Sequence, residues 1–436
     1  MTASAANHLA EPETGLTQVA GLARLEAPLA VAALVVVAVH VLDDNFLQPQ
    51  PGTSARDHLV SGLVPLAVLL GCAAAYERLR PGMQATLALM LGLLGIVIGV
   101  SEAGYYSLKS RPTGDDYTGL LAIPAGLLLL VIGAETLWRT RRTDDSLAWR
   151  YLRRLLLLVA AVLVFSFILF PLSLSYVFTH GARTGVPAAR LGASYEKVAF
   201  RTSDGLTLRG WYVPSRNGAA VIAFPGRNGP QKQARMLVRH GYGVLLFDRR
   251  GEGESDGDPN AFGWAMDKDL KGAAAFLQHR PDVKPNRIGG IGLSVGGEML
   301  LQAAAESKAF RAVVSEGAGA RSYRENLEKP RKLSTLPELG VSFVLTAGTA
   351  LFSNHPPPPN LKDISARIAP RSAFFIYALH GAGGEEKQLN PKYYAAAGEP
   401  KQIWEIPEAS HTGAITARPR EYERRVVGFF DGALLG

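Results

Sequence analysis

Arg287-Ile288-Gly289-Gly290-Ile291-Gly292-Leu293-Ser294-Val295-Gly296-Gly297-Glu298-Met299-Leu300 decides the fold of this 436-residue chain. Up to Gly292 it reads as a short buried strand, and from Gly296 to Ala305 as a helix that packs small residues against a sheet. Ser294 falls between the two, inside Gly292-Leu293-Ser294-Val295-Gly296. A serine on so sharp a strand-to-helix turn points its hydroxyl out of the sheet, with the next backbone N–H aimed at a developing oxyanion. The stretch therefore implies nucleophilic serine chemistry. A second match to the same pattern, Gly253-Glu254-Ser255-Asp256-Gly257, lies in a polar stretch with no strand directly before it and no helix directly after. Such short patterns recur by chance, so context decides, and Ser255 reads as a loop residue.

Around this turn, from Tyr195 onward, short apolar runs alternate with helical patterns. Strands are expected at Lys197 to Thr202, Leu206 to Val213, Ala219 to Phe224, Gly243 to Phe247, Arg287 to Gly292, Ala312 to Ser315, Ala373 to Tyr377 and Gln402 to Ile406. The alternation predicts an α/β domain, with a mostly parallel, doubly wound sheet and helices on both faces. Reactive groups in such sheets gather at the carboxyl ends of the strands. That is where Phe224-Pro225-Gly226-Arg227-Asn228-Gly229, Asp248-Arg249-Arg250-Gly251-Glu252-Gly253, the Ser294 turn and Ser410-His411-Thr412-Gly413 fall.

In these motifs, taken in order over about residues 195 to 434, the chain resembles the α/β-hydrolase superfamily, including its serine esterases and serine aminopeptidase-like members. The resemblance implies a nucleophile, an acid and a histidine in that order. Ser294 is then the nucleophile and His411 its general base. Relatives often carry the acid as aspartate in a His-Gly-x-x-Asp context, where this chain has His380-Gly381-Ala382-Gly383-Gly384 followed by Glu385 and Glu386. Glu386 is favoured, because the family's apolar residue three positions after the acid then matches Leu389. Glu385 comes second and Glu316 a distant third. The implied oxyanion donors are the backbone N–H groups of Val295 and Arg227. Pro225-Gly226 stands where many relatives have His-Gly. The Arg227 side chain reads as a solvated loop arginine, or as a ligand for an anionic substrate group. Between the sixth and seventh strands, about Gly317 to Ala369, relatives place a lid or cap. Its apolar stretch Leu336 to Phe352 suits a cover over an acyl chain, a segment in a membrane interface, or a packed cap helix.

The amino-terminal part differs in kind. Five apolar stretches, Ala27 to Leu42, Leu59 to Tyr76, Gln84 to Ser101, Thr118 to Ala134 and Leu155 to Thr179, are mostly near the roughly 17 to 25 residues that a membrane-spanning helix needs. Buried helices of a soluble domain normally carry a polar stripe, and these do not. A cleavable signal peptide does not fit the first run, whose preceding segment is acidic and which more spans follow. The organisation expected is a membrane region over residues 1–180 with about five transmembrane helices, then a hydrolase-like domain over 181–436. Arg139, Arg141, Arg142, Arg150, Arg153 and Arg154 crowd the connection before the fifth run. The segments outside the first and third hairpins carry only Arg56, then Lys109 and Arg111. Positive loops stay in the cytoplasm, so the domain after residue 180 is expected outside the cytoplasmic membrane.

Composition excludes several classes. Cys72 is the only cysteine, so no intrachain disulfide, thiol chemistry or cysteine metal site is expected. The net charge of +8 comes from arginines that are scattered or belong to the connection before the fifth run, without a basic stripe interleaved with aromatics, so nucleic acid is not an expected partner. Membrane lipids are. No cofactor or metal is expected, since no P-loop, repeat or metal-spaced cluster appears. Asp43, Asp44, Glu102 and Glu135 near span ends read as interfacial charges, with a polar path as the alternative. Pro356 to Pro359 reads as a rigid spacer. The function expected is a membrane-anchored hydrolase acting on an ester or thioester, from a small-molecule or lipid acyl substrate. A peptidase, an acyltransferase and a non-catalytic receptor on the same fold are the alternatives. Neither the substrate nor the oligomeric state is written in the sequence.

Overall fold

The computed structural model describes residues 14–107, 114–141, 146–181, 183–331 and 333–436. Lys109, Arg111 and Arg142 of the charge balance lie outside the described residues, as do residues 1–13 ahead of the first apolar run.

The amino-terminal half is helical: α1 (Thr14–Leu42), α2 (Leu59–Ala75), α3 (Pro81–Ser107), α4 (Asp116–Arg139), α5 (Leu147–Val164) and α6 (Phe170–Thr179). A π-helical turn at Phe165–Leu169 joins α5 and α6 into one rod. A helix satisfies its backbone hydrogen bonds within the segment, which suits side chains that offer almost nothing polar. Five of these stretches, Leu25–Leu47, Ala55–Arg78, Pro81–Gly104, Asp116–Arg139 and Leu147–Thr179, are long and apolar enough to cross a membrane. A sixth, Leu336–Ser353, comes from the later insertion.

Glycines let α3 and α4 approach closely: a Cβ on Gly92 would lie 2.8 Å from the Gly126 carbonyl oxygen. Antiparallel packing of α1 and α4 is pinned at both ends, by an Arg139–Glu26 ion pair and by a His40 Nδ1 to Thr118 Oγ1 contact at 3.2 Å. The α1–α2 connection abuts the second half of the chain. There Gly257 donates its N–H to Pro51 O at 2.8 Å, and Arg183 donates to Gln50 Oε1 at 3.0 Å and Gly257 O at 2.9 Å. The carboxyl end of α4, with Arg139 paired to Glu26 of α1, lies at the opposite end of the bundle.

The second half alternates strands and helices. Its elements are β1 (Glu196–Arg201), β2 (Thr207–Val213), β3 (Ala220–Phe224), α7 (Gln231–Arg239), β4 (Gly243–Phe247), α8 (Asp267–Gln278), β5 (Ile288–Leu293), α9 (Val295–Glu306) and β6 (Ala312–Glu316). They are followed by α10 (Tyr323–Asn326), α11 (Leu336–Ser353), α12 (Leu361–Ile364), β7 (Ser372–Ala378), α13 (Glu385–Ala396), β8 (Lys401–Ile406), α14 (Ala414–Ala417) and α15 (Pro419–Phe430). The sheet order is β1-β2-β4-β3-β5-β6-β7-β8, antiparallel at β1–β2 and β2–β4 and parallel from β4 across to β8. Each expected strand is present, shifted by a residue or so at its ends.

Every residue of β3, β4 and β5 is buried, because helices cover both faces. The two-residue period of a strand then sorts β3 between two cores. Ala220, Ile222 and Phe224 join Phe247, Leu300 and Phe375, while Val221 and Ala223 join Leu246, Ile291 and Phe374.

Between β6 and β7 the chain leaves the sheet and builds α11, which lies along the α5–α6 rod. Phe167 is the nearest neighbour to Gly340, Ser175 Oγ donates to Leu345 O at 3.0 Å, a Cβ on Gly348 would meet Ser175 Oγ at 2.6 Å, and the Phe352 ring meets Tyr176 edge-on at 5.5 Å. The two helices therefore run parallel. Pro356 to Pro359 returns the chain to α12, and the buried Arg321 guanidinium donates to Pro359 O.

Candidate active site

Ser294 stands between β5 and α9 at φ 53°, ψ −127°, a backbone conformation that L side chains rarely adopt. Its neighbours make the strain possible. A Cβ on Gly296 would lie 2.7 Å from Phe224 O, and one on Gly292 would run into the Gly296 carbonyl. Both glycines of the pattern are thus required by close backbone approach, and Ser294 is held from both sides as its N–H donates to Glu316 O at 2.8 Å.

The loop after β8 brings His411 Nε2 to 2.8 Å from Ser294 Oγ. On the other side of the ring, Nδ1 is 2.5 Å from Glu386 Oε1. Glu386 is the second residue of α13, fully buried, and its Oε2 accepts the Ala378 N–H at 2.8 Å. A side chain at Gly381 would strike this carboxylate, and a Cβ on Gly317 would lie 3.3 Å from the His411 ring. The hydrogen bond that His411 donates to Glu386 raises the His411 pKa above the ordinary imidazole value, outweighing the lowering that partial burial brings.

Glu385 points elsewhere: its Oε1 accepts the Ala320 N–H at 2.5 Å and its Oε2 pairs with Lys329 Nζ at 3.1 Å. Glu316 accepts the Ala414 N–H at 3.0 Å and the Tyr422 hydroxyl at 2.7 Å, so it braces the loop that carries His411. Val295 opens α9, where a backbone N–H has no intrahelical acceptor. The Arg227 N–H faces Asp248 Oδ1 at 3.4 Å, long for a hydrogen bond.

The Arg227 side chain is neither solvated nor open to a ligand. It is 2% exposed, donates from Nε to Asp248 Oδ2 at 2.9 Å, pairs with Glu254 Oε2 at 3.0 Å, and lies over the Trp211 ring. The reason is strand order. β3 and β4 are parallel neighbours, so the loops that follow them stand side by side and the Arg227 cation neutralises Asp248. Ser255 is a buried brace in the same region, donating to Asp248 O at 2.6 Å and accepting the Arg209 N–H at 2.9 Å.

One titratable neighbour has no sequence signal beyond its position. Glu298, one turn after Ser294, accepts the Gly319 N–H at 2.8 Å, and burial pushes its carboxyl up to about 7. Among the described residues, no group of His, Cys, Asp and Glu is arranged to hold a metal ion.

A serine hydroxyl, an imidazole and a carboxylate in line can move a proton off the serine and stabilise the imidazolium that results. The comparisons agree in class. Residues 185–411, just over half of the chain, match the model of the X-Pro dipeptidyl-peptidase (S15) family. The protein YfhR of Escherichia coli O157:H7 is 30% identical over 258 residues, which is 55% of this chain and 82% of that protein. Thiohydrolase aneE of Aspergillus aculeatus is 35% identical over 133 residues, 28% of this chain and 41% of that protein. The Pyrococcus furiosus esterase Pf2001 superimposes with a TM-score of 0.47 at 24% identity, over 58% of this chain and 97% of that one.

Proposed function

Because the chain belongs to the X-Pro dipeptidyl-peptidase (S15) family and is an α/β-hydrolase enzyme, we propose that it is a membrane-anchored serine hydrolase that cleaves a carboxylic ester or thioester through Ser294, His411 and Glu386. The observation that carries the reading is His411, in hydrogen-bond reach of Ser294 Oγ through Nε2 and of the buried Glu386 through Nδ1. Ser294 Oγ attacks the acyl carbon as its proton passes to His411 Nε2. Glu386 holds the imidazolium through Nδ1–H. The oxyanion takes the Val295 N–H, with the Arg227 N–H as second donor. The tetrahedral intermediate collapses, the alcohol or thiol leaves with the proton from Nε2, and a water activated by the same imidazole releases the acid.

Six apolar helices support the membrane part of this reading, and the placement of Arg139, at the start of the arginine-rich stretch, at the far end of the bundle supports a catalytic domain outside the cytoplasm. The insertion carrying α11 stands where a lid would, between β6 and β7. The likeness to a thiohydrolase favours an acyl thioester. The family description favours a second reading, release of X-Pro dipeptides, which needs the same groups and an amine leaving group.

Labelling with a membrane-impermeant fluorophosphonate tests the core of the proposal. Intact cells carrying the wild type or Ser255→Ala are expected to label, and those carrying Ser294→Ala are not. Labelling only after the membranes are opened overturns the orientation, and labelling that survives Ser294→Ala overturns the nucleophile. Acyl thioesters, acyl esters and X-Pro amides offered to wild-type protein that has not met the probe, with Ser294→Ala as the control, then separate the two readings.

A further inference from the structure

Where the helical bundle meets the α/β domain, two cavities lie side by side and share Asp44, His180 and Phe352 in their walls. The larger, about 210 Å³, runs between α1, α2, α3 and α6 and is walled by aliphatic side chains such as Val37, Leu69, Leu94 and Leu172. Val64 and Val68, also in its wall, are 45% and 52% exposed on the outer face of α2, so the cavity has a side opening through the bundle surface. Its inner end is polar. There the smaller cavity, about 40 Å³, is lined by Asp44, Glu102, Asp115, Asp258, His58 and His180, and by Arg183.

The remaining contacts leave room for a ligand. His180 Nδ1 faces the Tyr176 carbonyl at 3.3 Å, which turns Nε2 toward Asp44 Oδ2 at 3.7 Å. His58 Nε2 shares a hydrogen bond with Thr53 Oγ1 at 3.0 Å and stands 3.7 Å from Asp258 Oδ2. The two histidine–aspartate separations exceed a direct hydrogen bond. The fully buried His40 Nε2 has no hydrogen-bond partner and stands 3.8 Å from Glu102 Oε1. The Arg183 guanidinium is spent on Gln50 and on the Ser255 and Gly257 carbonyls. Charges read as interfacial from the sequence, Asp43, Asp44 and Glu102, are therefore gathered inside the molecule, and only Glu135 faces outward.

An apolar cavity at the bundle surface, beside a buried polar chamber whose described lining residues carry more carboxyls than cations, has the chemistry of a lipid site. We propose that it binds a single-chain amphiphile with a protonated amine as its head, at a site separate from Ser294. The cavity holds one aliphatic chain and not a pair, and the excess of carboxyls selects an ammonium over a carboxylate or phosphate. Phe352 belongs to α11, so an occupant also touches the insertion of the hydrolase domain. The inference rests on the membrane reading above, but not on the catalytic one.

The test uses the full-length Ser294→Ala protein in nanodiscs and a diazirine-bearing dodecylamine. Saturable crosslinks on α2, α3, α6 or Phe352 are expected. Unlabelled dodecylamine should compete at least about tenfold better than dodecanoate. Val68→Trp, which fills the cavity, should remove the crosslinks, and Asp44→Asn with Asp115→Asn should erase the preference for amine over carboxylate. Fluorophosphonate labelling of Val68→Trp in the Ser294 background reports that the variant is folded. Non-saturable labelling, indifference to Val68→Trp, or better competition by dodecyl phosphate or dodecanoate overturns the proposal. Extraction of the protein by alkaline carbonate would instead overturn the membrane reading beneath it.

Discussion

His411 sits between a serine it must deprotonate and a carboxylate that makes it harder to keep neutral. Since Glu386 raises its pKa, the neutral form is lost as pH falls through a value above the ordinary 6.5 or so, and kcat/KM should decline on that acid limb. Glu386→Gln removes the raising hydrogen bond. It is expected to move the limb downward and to lower kcat by roughly three to four orders of magnitude. Glu385→Gln, whose carboxylate serves Ala320 and Lys329, should leave the limb where it is. A pH–rate profile of the three proteins checks both statements, and an unmoved limb in Glu386→Gln would reject the assignment. Chain order and the Leu389 spacing made Ser294, Glu386 and His411 readable as candidates. The Arg227–Asp248 pair was not readable, because it exists only once β4 inserts between β2 and β3. Arg227→Ala strands a buried carboxylate and should cost about 3–5 kcal/mol, seen as a lowered temperature of inactivation. A raised KM for anionic substrates at unchanged stability would restore the ligand reading.

Among the elements, β5–α9 and α11 show how differently sequence and contact speak. The β5–α9 turn is local. Its glycines stand where backbone meets backbone, so the pattern could be read directly from adjacent residues. Gly296→Ala should force Phe224 and α9 apart and abolish fluorophosphonate labelling, even in protein that still enters the membrane. α11 is the opposite case. Its apolar composition fits a cap, an interface segment or a span, and only the position of α6 decides what it packs against. Gly348→Leu puts a large side chain against Ser175 and should pry the helix from its partner. Limited proteolysis in the Pro356 to Pro359 return should then speed up. Cleavage at the wild-type rate would mean that α11 is held by the α/β domain alone.

The whole molecule joins two halves that the sequence separates cleanly by composition. Hydropathy marked the helical half and strand alternation the other, since each signal is carried by runs of neighbouring residues. The join was illegible because it is made of single residues far apart in the chain, such as Pro51 with Gly257, Gln50 with Arg183, and Ser175 with Leu345. The parallel pairing of α6 and α11 has a practical consequence for anyone who dissects this protein. A fragment starting after residue 180 would express the whole sheet together with Ser294, Glu386 and His411, yet it would leave bare the flank of α11 that carries Gly348, Leu351 and Phe352. Such a fragment is expected to be recovered as aggregates or only with detergent, and a monodisperse, detergent-free preparation would show that the flank has another cover. The helical half would then be less an anchor than a resident chaperone for the enzyme it carries.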